Sequence, residues 1–353
     1  MSRSLRALLL ILLAVLAWQL LRGISPEQER AVRTEIRETL QQAFPDAAQL
    51  AGERFGLRRL ATPEPGRPEV VLLHGLDDPG KVWMNLVPAL QQGRFGVNVV
   101  DYPNDQPIRE SAAFLRARLE SLAEEGITAV HLVVHSMGGL VAREMLTALR
   151  PECRPPTCRM PSVRQLIMVG TPNHGSELAR LRGLAEVREQ LERVLNGGGG
   201  WLDWAFDGAG EAGLDLLPGS PFLQELNARL HPSDTRLVVI AGVIGEPQLQ
   251  ALQQLLDQHL PDLDGDLLGN GLYLGDGLVS LESARLPCVP LYRVPGTHLS
   301  IIRNVSSSST REPPAIPLIL SLLTSPQTLP ETPNLQEQPA GCPTNASPLP
   351  ASS

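Results

Sequence analysis

Leu132-Val133-Val134-His135-Ser136-Met137-Gly138-Gly139-Leu140-Val141-Ala142-Arg143 is the stretch on which the fold reading turns. Leucine and β-branched residues run up to a serine, as in a buried strand. Two glycines follow the next residue, and a helical pattern begins at once. That is the layout of a nucleophile elbow, a strained strand-to-helix turn that lifts a serine hydroxyl above the end of a sheet. The usual pattern is Gly-x-Ser-x-Gly. Here Val134 stands at the first glycine, and Gly138 keeps the second. A Ser-x-Gly match alone is a weak signal, so the flanking chain has to carry the argument.

Outward from this stretch, strands and helices alternate. Short apolar runs predict strands at Val70–Leu73, Val97–Val100, Ala129–Val134, Val163–Val169, Arg236–Ala241 and Val289–Val294. Helical spacing predicts helices over Lys81–Gln92, Ile108–Glu125, the elbow helix to about Leu149, and Pro314–Leu323. Such alternation implies an α/β fold: a mostly parallel sheet with helices on both faces. Sites in sheets of this kind lie at the carboxyl ends of the strands. The polar clusters fall there: His74-Gly75-Leu76, Asp101-Tyr102-Pro103, His135-Ser136 and Gly170-Thr171-Pro172-Asn173-His174-Gly175.

A serine hydroxyl needs a base to take its proton, and in hydrolases with an elbow the chain order is serine, acid, histidine. Of the seven histidines, His231 precedes a strand and His259 lies in a leucine-rich helical stretch. His298 lies in a turn just past the last strand, where a base belongs. Asp262, Asp264, Asp266 and Asp276 are candidate acids. Asp276 is favoured because Gly275 and Gly277 allow a tight loop that aims its carboxylate inward. The Asp262/Asp264/Asp266 alternation lacks the glycine and glutamate of a calcium loop and reads as a solvated acidic turn. Backbone N–H groups of Met137, directly after the serine, and of Leu76, after the first strand, are placed to receive an oxyanion. His74 reads as a support for that loop. This chemistry calls for no cofactor and no metal.

These motifs, in this order, resemble the α/β-hydrolase lipases and esterases, in particular bacterial triacylglycerol lipases and the GPI inositol deacylase-like hydrolases. The resemblance rests on His74-Gly75-Leu76, His135-Ser136-Met137-Gly138-Gly139, Gly170-Thr171-Pro172-Asn173-His174-Gly175, Gly275-Asp276-Gly277-Leu278-Val279 and Gly296-Thr297-His298, and it covers residues 68–325. It implies an α/β-hydrolase fold with Ser136 as nucleophile, Asp276 as acid and His298 as base. The implied activity is that of a serine carboxylic-ester hydrolase on an ester or lipid substrate. Acyl transfer on the same residues, or a hydrolase fold used only for binding, are the alternatives.

Around this body the chain divides as follows. Arg3 and Arg6 precede an apolar run from Ala7 to Trp18, about 15 residues and just short of a comfortable bilayer span. Residues 1–24 therefore read as a signal anchor or a cleaved signal peptide, with Val15-Leu16-Ala17 as a weak cleavage site. Early arginines stay cytoplasmic, so the expectation is an exported protein, anchored in the inner membrane with its catalytic domain on the periplasmic side. Residues 25–67 read as a stalk or linker helix. Residues 176–230 read as a cap insertion with an amphipathic helix over Leu178–Leu195, a glycine run and two tryptophans, Trp201 and Trp204. Residues 326–353 are rich in proline and serine and read as a disordered tail. Cys153 and Cys158 are placed to close a local disulfide in an oxidising compartment, and Cys342 is a possible partner of Cys288. The net charge of -8 gives no reason to expect a nucleic-acid partner.

Overall fold

The computed structural model describes residues 31, 34–35, 39, 54–76, 80–149, 159–176, 211–244, 275–304, 306, 308–324 and 336–337. The proposed membrane segment, most of the stalk, Cys153, Cys158, Cys342, the stretch 177–210 with both cap tryptophans, His259 and the Asp262/Asp264/Asp266 turn lie outside the described residues.

The sheet begins earlier than the apolar runs suggest. Strand β1, Gly56–Ala61, falls in the stretch read as a stalk. Its composition, Gly-Leu-Arg-Arg-Leu-Ala, hides it: it is a half-exposed edge strand with no buried face to impose alternation. It pairs antiparallel with β3, and Arg58 bonds Asp101 on that strand at 2.8 Å. The expected core strands follow in chain order. Strand β2 is Glu69–Leu73. A 3-10 turn at Lys81–Trp83 leads into helix α1, Leu86–Gln92. The spacing had predicted one continuous helix from Lys81. Strand β3 is Gly96–Asp101, helix α2 Ile108–Glu124 and strand β4 Ala129–His135. Helix α3, Gly138–Glu144, continues as a wider π turn over Met145–Leu149. Strand β5 is Ser162–Val169. Helices α4, Glu211–Asp215, and α5, Pro221–Ala228, precede strand β6, Arg236–Val243. Helix α6, Leu281–Ala284, strand β7, Leu291–Pro295, helix α7, Ala315–Thr324, and the two-residue strand β8, Gln336–Glu337, complete the described elements. Strand β8 lies within the proline- and serine-rich tail.

Among the described residues the eight strands form one sheet in the order β1-β3-β2-β4-β5-β6-β7-β8. The six inner strands are parallel to one another, and only the two edge strands run antiparallel. Parallel strands covered on both faces need apolar side chains on both. The alternation within each run divides them: Val71 and Leu73 join the core on one face, Val70 and Leu72 the core on the other. The first core is closed by α2, whose Ile108, Ala112, Leu115, Leu119 and Leu122 form its apolar stripe, and by α3 and α5. The second is closed by Leu86 and Leu90 of α1 and by Ile316, Ile319, Leu322 and Leu323 of α7. Two caps fix local geometry. Ser220 accepts from the N–H of Leu223 ahead of Pro221, which starts α5. Asp215 reaches across to accept from the N–H of Ile108 at the head of α2. Cys288 takes part in a disulfide whose partner lies outside the described residues. Among the described residues no helix is long and apolar enough to cross a membrane.

Candidate active site

Strand β4 carries the site. Leu132, Val133 and Val134 are fully buried between β2 and β5. At the strand's end the chain turns through Ser136 with φ +53°, left-handed backbone that a non-glycine residue rarely adopts. The N–H of Ser136 donates to the carbonyl of Val169 on β5 at 2.9 Å, and α3 starts two residues later. Val134 is accommodated within the core against which α2 and α3 pack. The close backbone approach falls instead at Gly138, where a Cβ would lie 2.5 Å from the carbonyl oxygen of His74 and 2.6 Å from that of Leu73.

The loop after β2 reaches Ser136 from one side. A Cβ on Gly75 would meet the Ser136 Cβ at 2.7 Å and its Oγ at 3.3 Å. His74 donates from Nδ1 to the Gly75 carbonyl at 2.8 Å, and its ring stacks on Tyr102 with centroids 4.7 Å apart. The Tyr102 hydroxyl donates to the His74 carbonyl at 2.9 Å. These bonds hold the backbone of His74 and Gly75, and Gly75 lies beside the serine. Met137, the other expected donor, is fully buried and is the residue immediately before α3.

Asp276 and His298 come together as the sequence predicts. Nδ1 of His298 donates to Oδ2 of Asp276 at 2.7 Å. Oδ1 of the same carboxylate accepts from the N–H groups of Leu278 at 2.9 Å and Val279 at 2.8 Å. The backbones are tied as well, the N–H of His298 donating to the Asp276 carbonyl at 3.0 Å. Both side chains are buried. With its Nδ1 proton donated, a neutral His298 carries its lone pair on Nε2.

Two residues that sequence reasoning assigned no role bind this pair to the elbow. His135, next to Ser136, donates from Nε2 to the His298 carbonyl at 3.1 Å, and the two rings lie 4.7 Å apart. Complete burial pushes its pKa well below the ordinary histidine value, with the nearby His298, Arg303 and His74 adding to the effect. Gly170 follows Val169, has φ +61°, and leaves space that a Cβ would fill 3.2 Å from Asp276 Oδ2 and from His298 Cε1 and Nδ1. The position of His135 beside the serine and of Gly170 at a strand end were the only signals available. The remaining described histidines have structural partners: His131 with Gln165, His174 with Arg285 and Asn227, and His231 with the Pro287 carbonyl. Among the described residues no group of three or more His, Cys, Asp or Glu is arranged to hold a metal ion.

Residues 70–300 match the model of the alpha/beta hydrolase family. The chain belongs to that family. It is similar to a pimeloyl-[acyl-carrier protein] methyl ester esterase from Aeromonas hydrophila, with 40% identity over 85 residues that are 22% of this chain and 32% of that protein. The match thus spans about a third of the relative's length. Among solved structures it is similar to the mature form of a Bacillus licheniformis lipase, at TM-score 0.51 and 22% identity over 76% of this chain and 98% of the other. The propeptide form of that lipase aligns at TM-score 0.52 and 20% identity, over 76% of this chain and 53% of the other. At that identity the two structures speak for a shared fold.

Two outcomes follow from this geometry. Gly170→Ala will place a methyl group against the Asp276–His298 contact and strain a left-handed backbone by about 1–2 kcal/mol. Its hydrolytic rate should fall further than its melting temperature accounts for, as rates measured well below the transition will show. His135 takes up a proton in the unfolded chain below about pH 6.5 but resists it when folded, because its folded pKa is depressed. Its contribution to stability is therefore present above that pH and is lost as pH falls, by at most about 1.4 kcal/mol per pH unit. Urea unfolding between pH 7 and pH 5 should show a shallower loss for His135→Gln than for the parent. His131 shares the direction and, being common to both proteins, subtracts out.

Proposed function

We propose that this protein is a serine carboxylic-ester hydrolase that works through an acyl-enzyme on Ser136, His298 and Asp276. The observation that carries the reading is the buried His298–Asp276 pair with its Nδ1 proton committed to the carboxylate, tied through His135 to the end of β4, where Ser136 is held at positive φ.

In this mechanism Nε2 of His298 takes the proton of Ser136 as Oγ bonds to the ester carbonyl carbon. The carbonyl oxygen becomes an oxyanion facing the N–H groups of Met137 and Leu76. The carbon–oxygen bond to the alcohol then breaks, and the alcohol leaves with the proton held by His298. A water enters, His298 takes its proton, and the resulting hydroxide attacks the acyl carbon. Collapse returns the proton to Ser136 and releases the acid. Asp276 fixes the tautomer and stabilises the imidazolium formed in each half-reaction. An ester or lipid substrate fits the family to which the chain belongs and the esterase to which part of it is similar.

Residues 1–24 supply the address in this proposal: two arginines, then an apolar run, export the domain and hold it at the inner membrane with the site on the periplasmic side.

A fluorophosphonate probe should label the parent protein and not Ser136→Ala, and p-nitrophenyl esters should be cleaved by the parent alone. Equal labelling of the two proteins, or none of either, overturns the mechanism. For the address, mass spectrometry of the membrane fraction should recover the intact amino-terminal peptide. A mature chain starting at Trp18 and found in the soluble fraction would replace the anchor with a cleaved signal peptide.

A further inference from the structure

Arg143 lies on α3, seven positions after Ser136, and is 3% exposed. Burial, with the nearby charge of Arg229, pushes its pKa down to about 10, so it remains a cation at neutral pH. The tips of its guanidinium address two neutral amides. Nη1 donates to Oδ1 of Asn173 and Nη2 to Oδ1 of Asn227, each at 2.9 Å. A cation buried for stability alone is a poor choice, since desolvation opposes it and apolar packing replaces it at little loss. What the planar fork provides is direction: two donors at a fixed angle, holding two partners in one arrangement.

Those partners lead to the acid. Asn227 donates to the Asn173 carbonyl at 2.9 Å, closing a triangle with Arg143. Asn173 also donates to the carbonyl of Ala284 at 2.7 Å, and the N–H of His174 to that of Ser283 at 3.0 Å. The Ser283 hydroxyl returns a bond to the Gly175 carbonyl at 2.6 Å. Residues 283 and 284 belong to α6, which directly follows the loop carrying Asp276. Ser176 bonds the carbonyl of Leu278, whose own N–H is held by Asp276. At its other end the same 170–176 loop starts with Gly170, packed against the Asp276 carboxylate. The loop therefore touches the acid or its loop at both ends, and Arg143 holds its middle.

We propose that Arg143 is a positioning residue for hydrolysis: its fork fixes the 170–176 loop, and through it the Asp276 carboxylate, relative to the helix that begins beside Ser136. This rests on the reading of Ser136, His298 and Asp276 as the reacting set. Arg143 touches none of them. Its effect is on the placement of the acid and hence on the orientation of His298.

The test compares the parent full-length protein with Arg143→Lys, Asn173→Ala and the double variant, using p-nitrophenyl acetate well below each melting temperature. Lysine keeps the cation but cannot hold both amides. A misplacement approaching 1 Å at a reacting group costs up to about 100-fold in rate. Each single variant should therefore lose about 10- to 100-fold in kcat with KM nearly unchanged. The double variant should lose no more than the worse single one, because both cut the same connection. The downfield proton resonance of the His298 Nδ1–H bonded to Asp276 should shift or broaden in both single variants. A purely structural Arg143 would lower the melting temperature and leave kcat and that resonance as in the parent, and this result overturns the proposal. Should the Arg143 variant fail to fold, Asn227→Ala removes one arm with the arginine in place, and the same two readouts decide. Ser136→Ala runs alongside. If it retains activity, the reading of the reacting set fails and takes this inference with it. If it is inactive while the Arg143 and Asn173 variants match the parent, only this inference fails.

Discussion

The backbone of Ser136 is the constraint on which the rest of the site depends. A left-handed φ at a residue with a Cβ costs about 1–2 kcal/mol, and it persists only where the surroundings leave the chain no alternative. Here they do not. Leu132, Val133 and Val134 are fully buried immediately before it, and burying one such side chain stabilises by about 1.5–3 kcal/mol. A shift of the strand that relaxed Ser136 would disturb all three. The bond from its N–H to Val169 on β5 and the start of α3 at Gly138 close the other exits. The strain is local, and the burial that enforces it is spread over the centre of the sheet.

Asp276 and His298 are held by a different principle. They lie on separate loops, after β6 and β7, and are joined to each other by both side chain and backbone. The space they occupy is made by absences. Gly170 lacks the Cβ that would press on His298 and Asp276, and Gly242 at the end of β6 lacks one that would lie 2.7 Å from the Asp276 Cβ. The pair can therefore sit directly over the strand ends. It is tied to β4 by His135, which precedes Ser136 and bonds the backbone of His298.

Much of this was legible in the sequence, for a physical reason. Strands buried on both faces must be apolar runs, so β2 to β7 could be read from composition alone. The edge strand β1 could not, because Arg58 and Arg59 serve ion pairs at the surface and only Leu57 and Ala61 rest, half-buried, on the cores. The helix expected from Lys81 was overextended, since its apolar Val82 and Trp83 belong to a 3-10 turn that packs on the same core. At the site, chain order and the turns around them singled out Ser136, Asp276 and His298, of which the last two are hydrogen-bonded to each other. The supports did not. His135 acts on a residue 163 positions away, and Arg143 on one 84 positions away. Gly170 acts by what it lacks. Contacts of that kind leave no local spacing to read.

The two histidines at the centre of the site show why position and charge are supplied by different residues. In the proposed reaction His298 becomes an imidazolium, which needs an opposite charge nearby and no like charge. Asp276 provides the first, through a bond to Nδ1. His135, with its ring 4.7 Å away, would violate the second if it were ever protonated. Its burial prevents this: desolvation, together with His298, Arg303 and His74, keeps its pKa low. The single proton of a neutral ring is donated from Nε2 to a backbone carbonyl. His135 thus ties β4 to the loop of His298 without adding a charge that would oppose the proposed reaction. An arginine or lysine there would offer the same donor but would place a permanent positive charge beside the developing one. A neutral donor on a rigid ring satisfies both requirements.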